Sequence, residues 1–163
     1  TTYRSLAEQA VDKAGKLLGR RLPPCRTRET DLPGAWGRDR AREALEALEV
    51  LTNAGIDRLL GVYGGRAAAI ARLCADDVAL ARTLDDAGRV LAAEVVFAIR
   101  EEFALSLEDV VFRRMMIGLD ADQGRPLYDE IAALAAAELG WSPATLKQQL
   151  DELRGYAESL RVG

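Results

Sequence analysis

The chain has 163 residues, 49% of them apolar and 29% charged, with 22 basic against 26 acidic residues for a net charge of −4. This excludes a disordered or collagen-like chain, and the length buries enough surface to fold without a metal or a disulfide. Histidine is absent, which removes imidazole acid–base chemistry and histidine–metal ligation; no uncharged apolar run approaches the roughly 18 residues of a membrane span.

Residues 3–19 place Leu6, Ala10, Ala14, Leu17 and Leu18 near one stripe, the spacing of an amphipathic helix, with Gly19 as its stop. Residues 20–37 hold Pro23-Pro24, Pro33-Gly34 and Gly37. Prolines lack the amide donor and disfavour helix before them, so this stretch reads as an extended connector and a domain boundary. Residues 39–53 align Ala41, Leu45, Leu48 and Leu51 on one face, closed at Gly55. Residues 56–63 form a short helix broken at Gly64-Gly65, and residues 66–74 another, after which Asp76 caps a turn through Ala81. The longest apolar segment is 86–104, where Leu91, Val95, Phe97, Ala98, Ile99 and Phe103 nearly encircle the axis, the pattern of a central helix. Ser106 and Asp109 make a capping box that starts a helix over 107–118. Residues 127–139 form a further helix stopped at Gly140, and Ser142-Pro143 opens the last, which aligns Leu146, Leu150, Leu153, Ala157 and Leu160. No useful β alternation appears. The expected fold is all-α: a compact, bundle-like domain of six to eight helices over 38–163, preceded by an N-terminal helix and an extended connector over 1–37.

Few residues carry chemistry. Gly64-Gly65 lacks the GxxxxGK[ST] context of a phosphate loop and reads as a helix break. Glu94 lies in the most apolar helix, where a carboxylate needs a partner; Arg113 or Arg114 is the expected one. Arg113 and Arg114 are otherwise expected to pair one with Asp109 at i, i+4 and the other with an acid on a second helix. Met115-Met116 read as core fillers, and Trp36 and Trp141 as packing residues. Cys25 and Cys74 lie in no CxxC and read as reduced thiols of a cytosolic protein. The charge signs mix along the chain, which argues against nucleic-acid binding. No signal-peptide pattern opens the chain. It starts Thr-Thr-Tyr-Arg without a methionine, as expected of a piece of something longer. No catalytic residue and no metal ligand is identified.

Several segments in order resemble the C-terminal part of the FAD-dependent (aerobic) glycerol-3-phosphate dehydrogenases and α-glycerophosphate oxidases. They are Thr1-Thr2-Tyr3-Arg4 with Leu6-Ala7-Glu8, the connector from Cys25-Arg26-Thr27-Arg28 through Leu32-Pro33-Gly34-Ala35, and Leu60 through Gly64. To these add Ala93-Glu94-Val95-Val96-Phe97-Ala98-Ile99-Arg100 with Glu102, Leu107-Glu108-Asp109-Val110 through Arg113-Arg114, and Leu139-Gly140-Trp141. The stretch departs from the family at Met115-Met116, where Thr-Arg is usual.

The resemblance implies an intact enzyme that oxidises sn-glycerol 3-phosphate to dihydroxyacetone phosphate, with FAD as hydride acceptor and quinone or oxygen beyond it. The dinucleotide fold would lie upstream. Thr1 and Thr2 would then be the cofactor-binding residues, close to the flavin only in the intact enzyme. Residues 1–37 would be the tail of the FAD and substrate region, and 38–163 a helical domain that caps or braces it. No FAD is expected in this chain alone, nor turnover. The implied partners are the upstream domains of the same polypeptide and a homodimer copy. The implied location is cytoplasmic, at most peripheral at the inner face of the plasma membrane. The competing readings are a free-standing helical interaction or dimerisation module and a helix-turn-helix regulator. The acidic charge disfavours the regulator.

Overall fold

The computed structural model describes residues 2–160. Seven α-helices lie among them: α1 (Thr2–Leu17), α2 (Arg38–Glu46), α3 (Asn53–Tyr63), α4 (Ala67–Asp76), α5 (Ala92–Glu102), α6 (Tyr128–Leu139) and α7 (Pro143–Ser159). A π-helical turn, Asp109–Arg114, and short 3-10 turns join them. No strand occurs among the described residues, only one isolated bridge between Thr83 and Leu91. The fold is all-α, as expected.

Helix α5 is the centre because its two sides serve different cores. Leu91, Ala93 and Phe97 join a core with α2, α3 and α4, including Leu45, Leu59, Leu60 and Ile70. Ala92, Val95 and Ala98 join a second core with the π-helical turn, α6 and α7, including Val111, Met115, Ile131 and Leu153. Burying each leucine-sized side chain contributes roughly 1.5–3 kcal/mol, so the two cores make one lobe through a shared helix.

Local signals account for many ends. Ser106 and Asp109 exchange the two capping bonds expected, Asp109 N–H to Ser106 Oγ and Ser106 N–H to the Asp109 carboxylate. Ser142 accepts from the Thr145 amide and Pro143 opens α7. Gly140 ends α6 and Gly19 follows α1, both in left-handed geometry.

Other boundaries differ from the sequence expectation. The helix expected over 39–53 ends at Glu46; Glu49 turns left-handed and Thr52 caps α3, its hydroxyl accepting from Gly55 N–H. Gly55 is therefore inside a helix rather than closing one. A β-carbon there would lie 2.4 Å from Gly88 O, so close backbone approach explains it. The helix expected from residue 86 starts at Ala92, because Asp85 captures the amides of Arg89 and Val90 and holds 85–90 as a turn. Asp77, rather than Asp76, caps the turn Val78–Leu80. The segment after Ser106 is π-helical, with Met115 N–H donating five residues back to Val110 O.

Helix α1 stands apart. Only Gly15 is buried in it, under Leu22. Leu6, Leu17 and Leu18 of the expected stripe are exposed.

Candidate functional site

Of the two expected cofactor-binding residues, Thr1 lies outside the described residues and Thr2 opens α1, exposed. The helix lies against the connector, where Arg4 donates to Thr27 O at 2.8 Å. A largely apolar groove of about 650 Å³ runs between them, lined by Tyr3, Val11, Cys25, Leu32 and Pro33. Cys25 is exposed and Cys74 buried, neither in a disulfide; burial pushes the Cys74 thiol up to about 11, which favours the thiol over the thiolate.

The end of the connector is stitched to the lobe. Gly65 N–H donates to Gly34 O at 2.8 Å. A β-carbon at Gly34 would meet Tyr63 O at 2.5 Å, one at Gly64 would meet Gly34 O at 2.3 Å, and one at Gly65 would meet Trp36 O at 1.6 Å. Two backbones cross here without side chains between them. Gly64-Gly65 is a helix break, as expected, and its concavity is filled by the connector. Trp36 is largely exposed, contrary to its reading as a packing residue; its indole N–H is held by Asp31 at 2.8 Å. Trp141 does pack, against the second core.

Beneath this crossing sits the one buried carboxylate among the described residues, Glu94. Its partner is Arg58 of α3, not Arg113 or Arg114. Arg58 Nη1 reaches both carboxylate oxygens at 2.9 Å, and its Nη2 donates to Met115 O at 2.7 Å. Tyr63 OH donates to Oε2 at 3.1 Å and Leu91 N–H to Oε1 at 2.9 Å, so Glu94 also caps its own helix. Burial pushes the Glu94 carboxyl up, while Arg58 and these donors pull it down. Burial, then Glu94 itself, holds the Tyr63 hydroxyl well above its ordinary range. Every group is satisfied and committed, so the cluster binds α3, α5 and the π-helical turn together and offers no free acid or base.

A second groove, about 620 Å³, opens beside it, lined by Tyr63, Arg66, Glu102, Arg113, Arg114 and Met116 among others. Arg66 pairs with Glu102 at 2.7 Å and lies over the Phe97 ring at 4.9 Å. Arg113 pairs with Asp109 at i, i+4 as expected, and also with Glu108. Arg114 does not meet the acid expected of it; its Nε donates to Glu102 O at 2.8 Å. Met115 is a core filler, whereas Met116 is left partly exposed. Sequence reasoning missed Arg58 and Arg66, which lie on or beside α3 among many arginines with nothing local to mark them. Among the described residues no group of three cysteines or acids is placed to hold a metal ion, and no helix is long and apolar enough to cross a membrane.

Residues 25–146 match the family described as the C-terminal domain of alpha-glycerophosphate oxidase. The chain is 31% identical over 163 residues to glycerol-3-phosphate dehydrogenase 2 of Mycobacterium tuberculosis (strain ATCC 25618 / H37Rv), covering 98% of this chain and 28% of that protein. It is 31% identical over 161 residues to glycerol-3-phosphate dehydrogenase of Synechocystis, covering 97% and 29%. It is 28% identical over 179 residues to a mitochondrial glycerol-3-phosphate dehydrogenase of Arabidopsis thaliana, covering 99% and 28%. The chain thus spans little more than a quarter of the length of these relatives. No solved structure matches it.

Proposed function

The chain belongs to the family of the C-terminal domain of alpha-glycerophosphate oxidase, and from that membership we propose that it is the helical C-terminal lobe of an FAD-dependent glycerol-3-phosphate dehydrogenase. The whole enzyme would oxidise sn-glycerol 3-phosphate to dihydroxyacetone phosphate and pass electrons to quinone. The observation that carries the reading is the match of nearly the whole chain, arm and lobe together, to about 28% of dehydrogenases from bacteria and a plant.

The described residues do not fit the flavin themselves. A dinucleotide site needs a strand, a glycine-rich turn and a helix N-terminus. The described residues contain no strand, and the turn at Gly64-Gly65 is packed with connector backbone. No step of the reaction is therefore assigned to these residues. Their role is to cap and brace: a rigid lobe with a fully paired polar centre, attached through a connector that is itself fastened down.

In this reading residues 1–37 are the tail of the FAD and substrate region, 38–163 the helical domain, and Thr1 and Thr2 the residues that approach the flavin in the longer protein. The partners are the upstream domains of the same polypeptide and a second copy in a homodimer, not nucleic acid. The protein is cytoplasmic, at most peripheral at the membrane.

Purifying the longer polypeptide and this 163-residue chain side by side tests the reading. The longer one is expected to carry flavin absorbance and to reduce a quinone analogue when given glycerol 3-phosphate. The short chain is expected to do neither. Flavin bound by the short chain, or a longer polypeptide indifferent to glycerol 3-phosphate, would overturn it.

A further inference from the structure

Helix α1 has two faces with different fates. Arg4, Val11 and Gly15 turn toward the connector: Arg4 donates to Thr27 O, Val11 lines the groove of about 650 Å³, and Gly15 lies under Leu22. Tyr3, Leu6, Ala10, Ala14 and Leu17 follow one another at steps of three and four, the spacing of a single helix face. All five are exposed, and none joins either core. An apolar face about four turns long that its own chain leaves bare is the mark of an interaction surface.

The family match runs from residue 25 to residue 146, so α1 falls outside the matched C-terminal domain. The dehydrogenase of Mycobacterium tuberculosis nevertheless matches 98% of the chain, which leaves too few residues unmatched to omit α1. The family match also stops inside α7, but the rest of α7 buries Leu153 and Ala157 in the lobe. Helix α1 has no such place. Among the described residues it is the α-helix that the dehydrogenase shares, that the domain match leaves out entirely and that the lobe does not bury.

In that dehydrogenase the match covers 28% of the length, and the family is a C-terminal domain, so most of such a polypeptide precedes α1 and is joined to it directly. A covalent neighbour acts at high effective concentration, whereas a second copy meets α1 only at its own. We propose that the face of α1 formed by Tyr3, Leu6, Ala10, Ala14 and Leu17 is the docking surface for an apolar face of the polypeptide ahead of Thr1. Ala10 and Ala14 let a neighbouring backbone approach at the middle of the face, and the larger side chains fill its ends. Held by that portion on one side and by the connector on the other, α1 is the clamp that fixes the lobe to what precedes it. The proposal rests on the C-terminal-lobe reading and adds to it the face by which the lobe is attached.

The test uses the longer polypeptide. Leucine and glutamine are both good helix formers, so on a bare helix Leu6→Gln leaves amide exchange across 3–17 unchanged. On a docked face it removes a buried leucine and buries an amide, and exchange across 3–17 is expected to rise at least about tenfold. Gln9→Ala, off the face, is expected to leave exchange unchanged. Leu17→Ala, a milder cut at the far end, is expected to raise it and carries the reading if Leu6→Gln does not fold. With photo-leucine in place of leucine, the tryptic peptide 5–13, whose one leucine is Leu6, is expected to crosslink to a peptide from ahead of Thr1. Exchange unchanged in the leucine variants overturns the proposal. So does a crosslink from that peptide to residues 38–163, which would make the lobe the occupant, or to the same peptide of a second copy. Flavin content and turnover of the unsubstituted protein are measured separately: their absence sinks the dehydrogenase reading, while the exchange and crosslinking data still decide the docking.

Discussion

Helices α1 and α7 are nearly equal in length, 16 and 17 residues, and both carry a leucine-lined stripe. In α7 the stripe is used: Leu153 and Ala157 are fully buried, and Leu146 and Leu150 pack against the same core. In α1 Leu6 is 65% exposed, Leu17 80% and Leu18 71%. The ion pairs differ in the same way. Those among the described residues fall between Arg42 and Glu158, all in the lobe, whereas Arg4 of the arm meets only a carbonyl. Periodicity thus reports that a face is built for burial, not that the same stretch of chain buries it. An isolated helix of this length is marginal in water, so α1 is a helix in want of a surface, and the lobe is one that has found its own.

The sharpest way to break this contrast is to remove an arginine from each region. Arg58→Ala leaves Glu94 buried without its counter-ion and is expected to cost about 3–5 kcal/mol in urea unfolding. Arg4→Ala is expected to cost less than about 1 kcal/mol. The double variant Arg58→Met with Glu94→Leu should recover only part of the loss, since it removes both charges together but leaves Tyr63 OH, Leu91 N–H and Met115 O without these partners. Equal, small losses at Arg58 and Arg4 would mean the buried cluster does not organise the lobe.

Truncating a leucine in each stripe comes next. Leu153→Ala is expected to cost about 2–5 kcal/mol through transfer and cavity terms, and Leu17→Ala, in the 163-residue chain, under about 0.5 kcal/mol. A large loss at Leu17 would show that α1 is covered after all.

The smallest effect is the pH dependence of the lobe. Burial alone would lift Asp109, but Arg113 and the Leu105 amide hold it below the ordinary range; burial would likewise lift Asp85, and the Arg89 and Val90 amides hold it down. A carboxylate depressed in the folded state adds stability above its unfolded value and loses it as pH falls through the folded one. Glu94 has the opposite sign: its carboxyl is raised, so its contribution is lost as pH rises through the folded value. Thermal midpoints measured from about pH 5 downward should fall, and fall less in Asp109→Asn. A variant with the parent's acid slope would refute the assignment.

What was legible beforehand was what local chemistry decides. Ser106 with Asp109, Ser142 with Pro143, and Gly140 each satisfy backbone groups within four residues, and each ends or begins a helix where expected. The burial of Glu94 followed from its apolar neighbours, but its partner did not. Arg58 is 36 residues away, and an arginine-rich chain offers many equal candidates. The turn at 85–90 was hidden because Asp85 competes with helix through side-chain bonds that hydropathy does not register.

The crossing at Gly34, Gly64 and Gly65 bears on where the polypeptide tolerates being divided. A piece beginning at residue 38 would lose Gly34 O, the acceptor of the Gly65 amide, and uncover Gly64 and Gly65, whose missing β-carbons make room for the connector's backbone. The smallest self-sufficient unit therefore starts ahead of Pro33, inside the stretch that proline and glycine content would nominate as dispensable spacer.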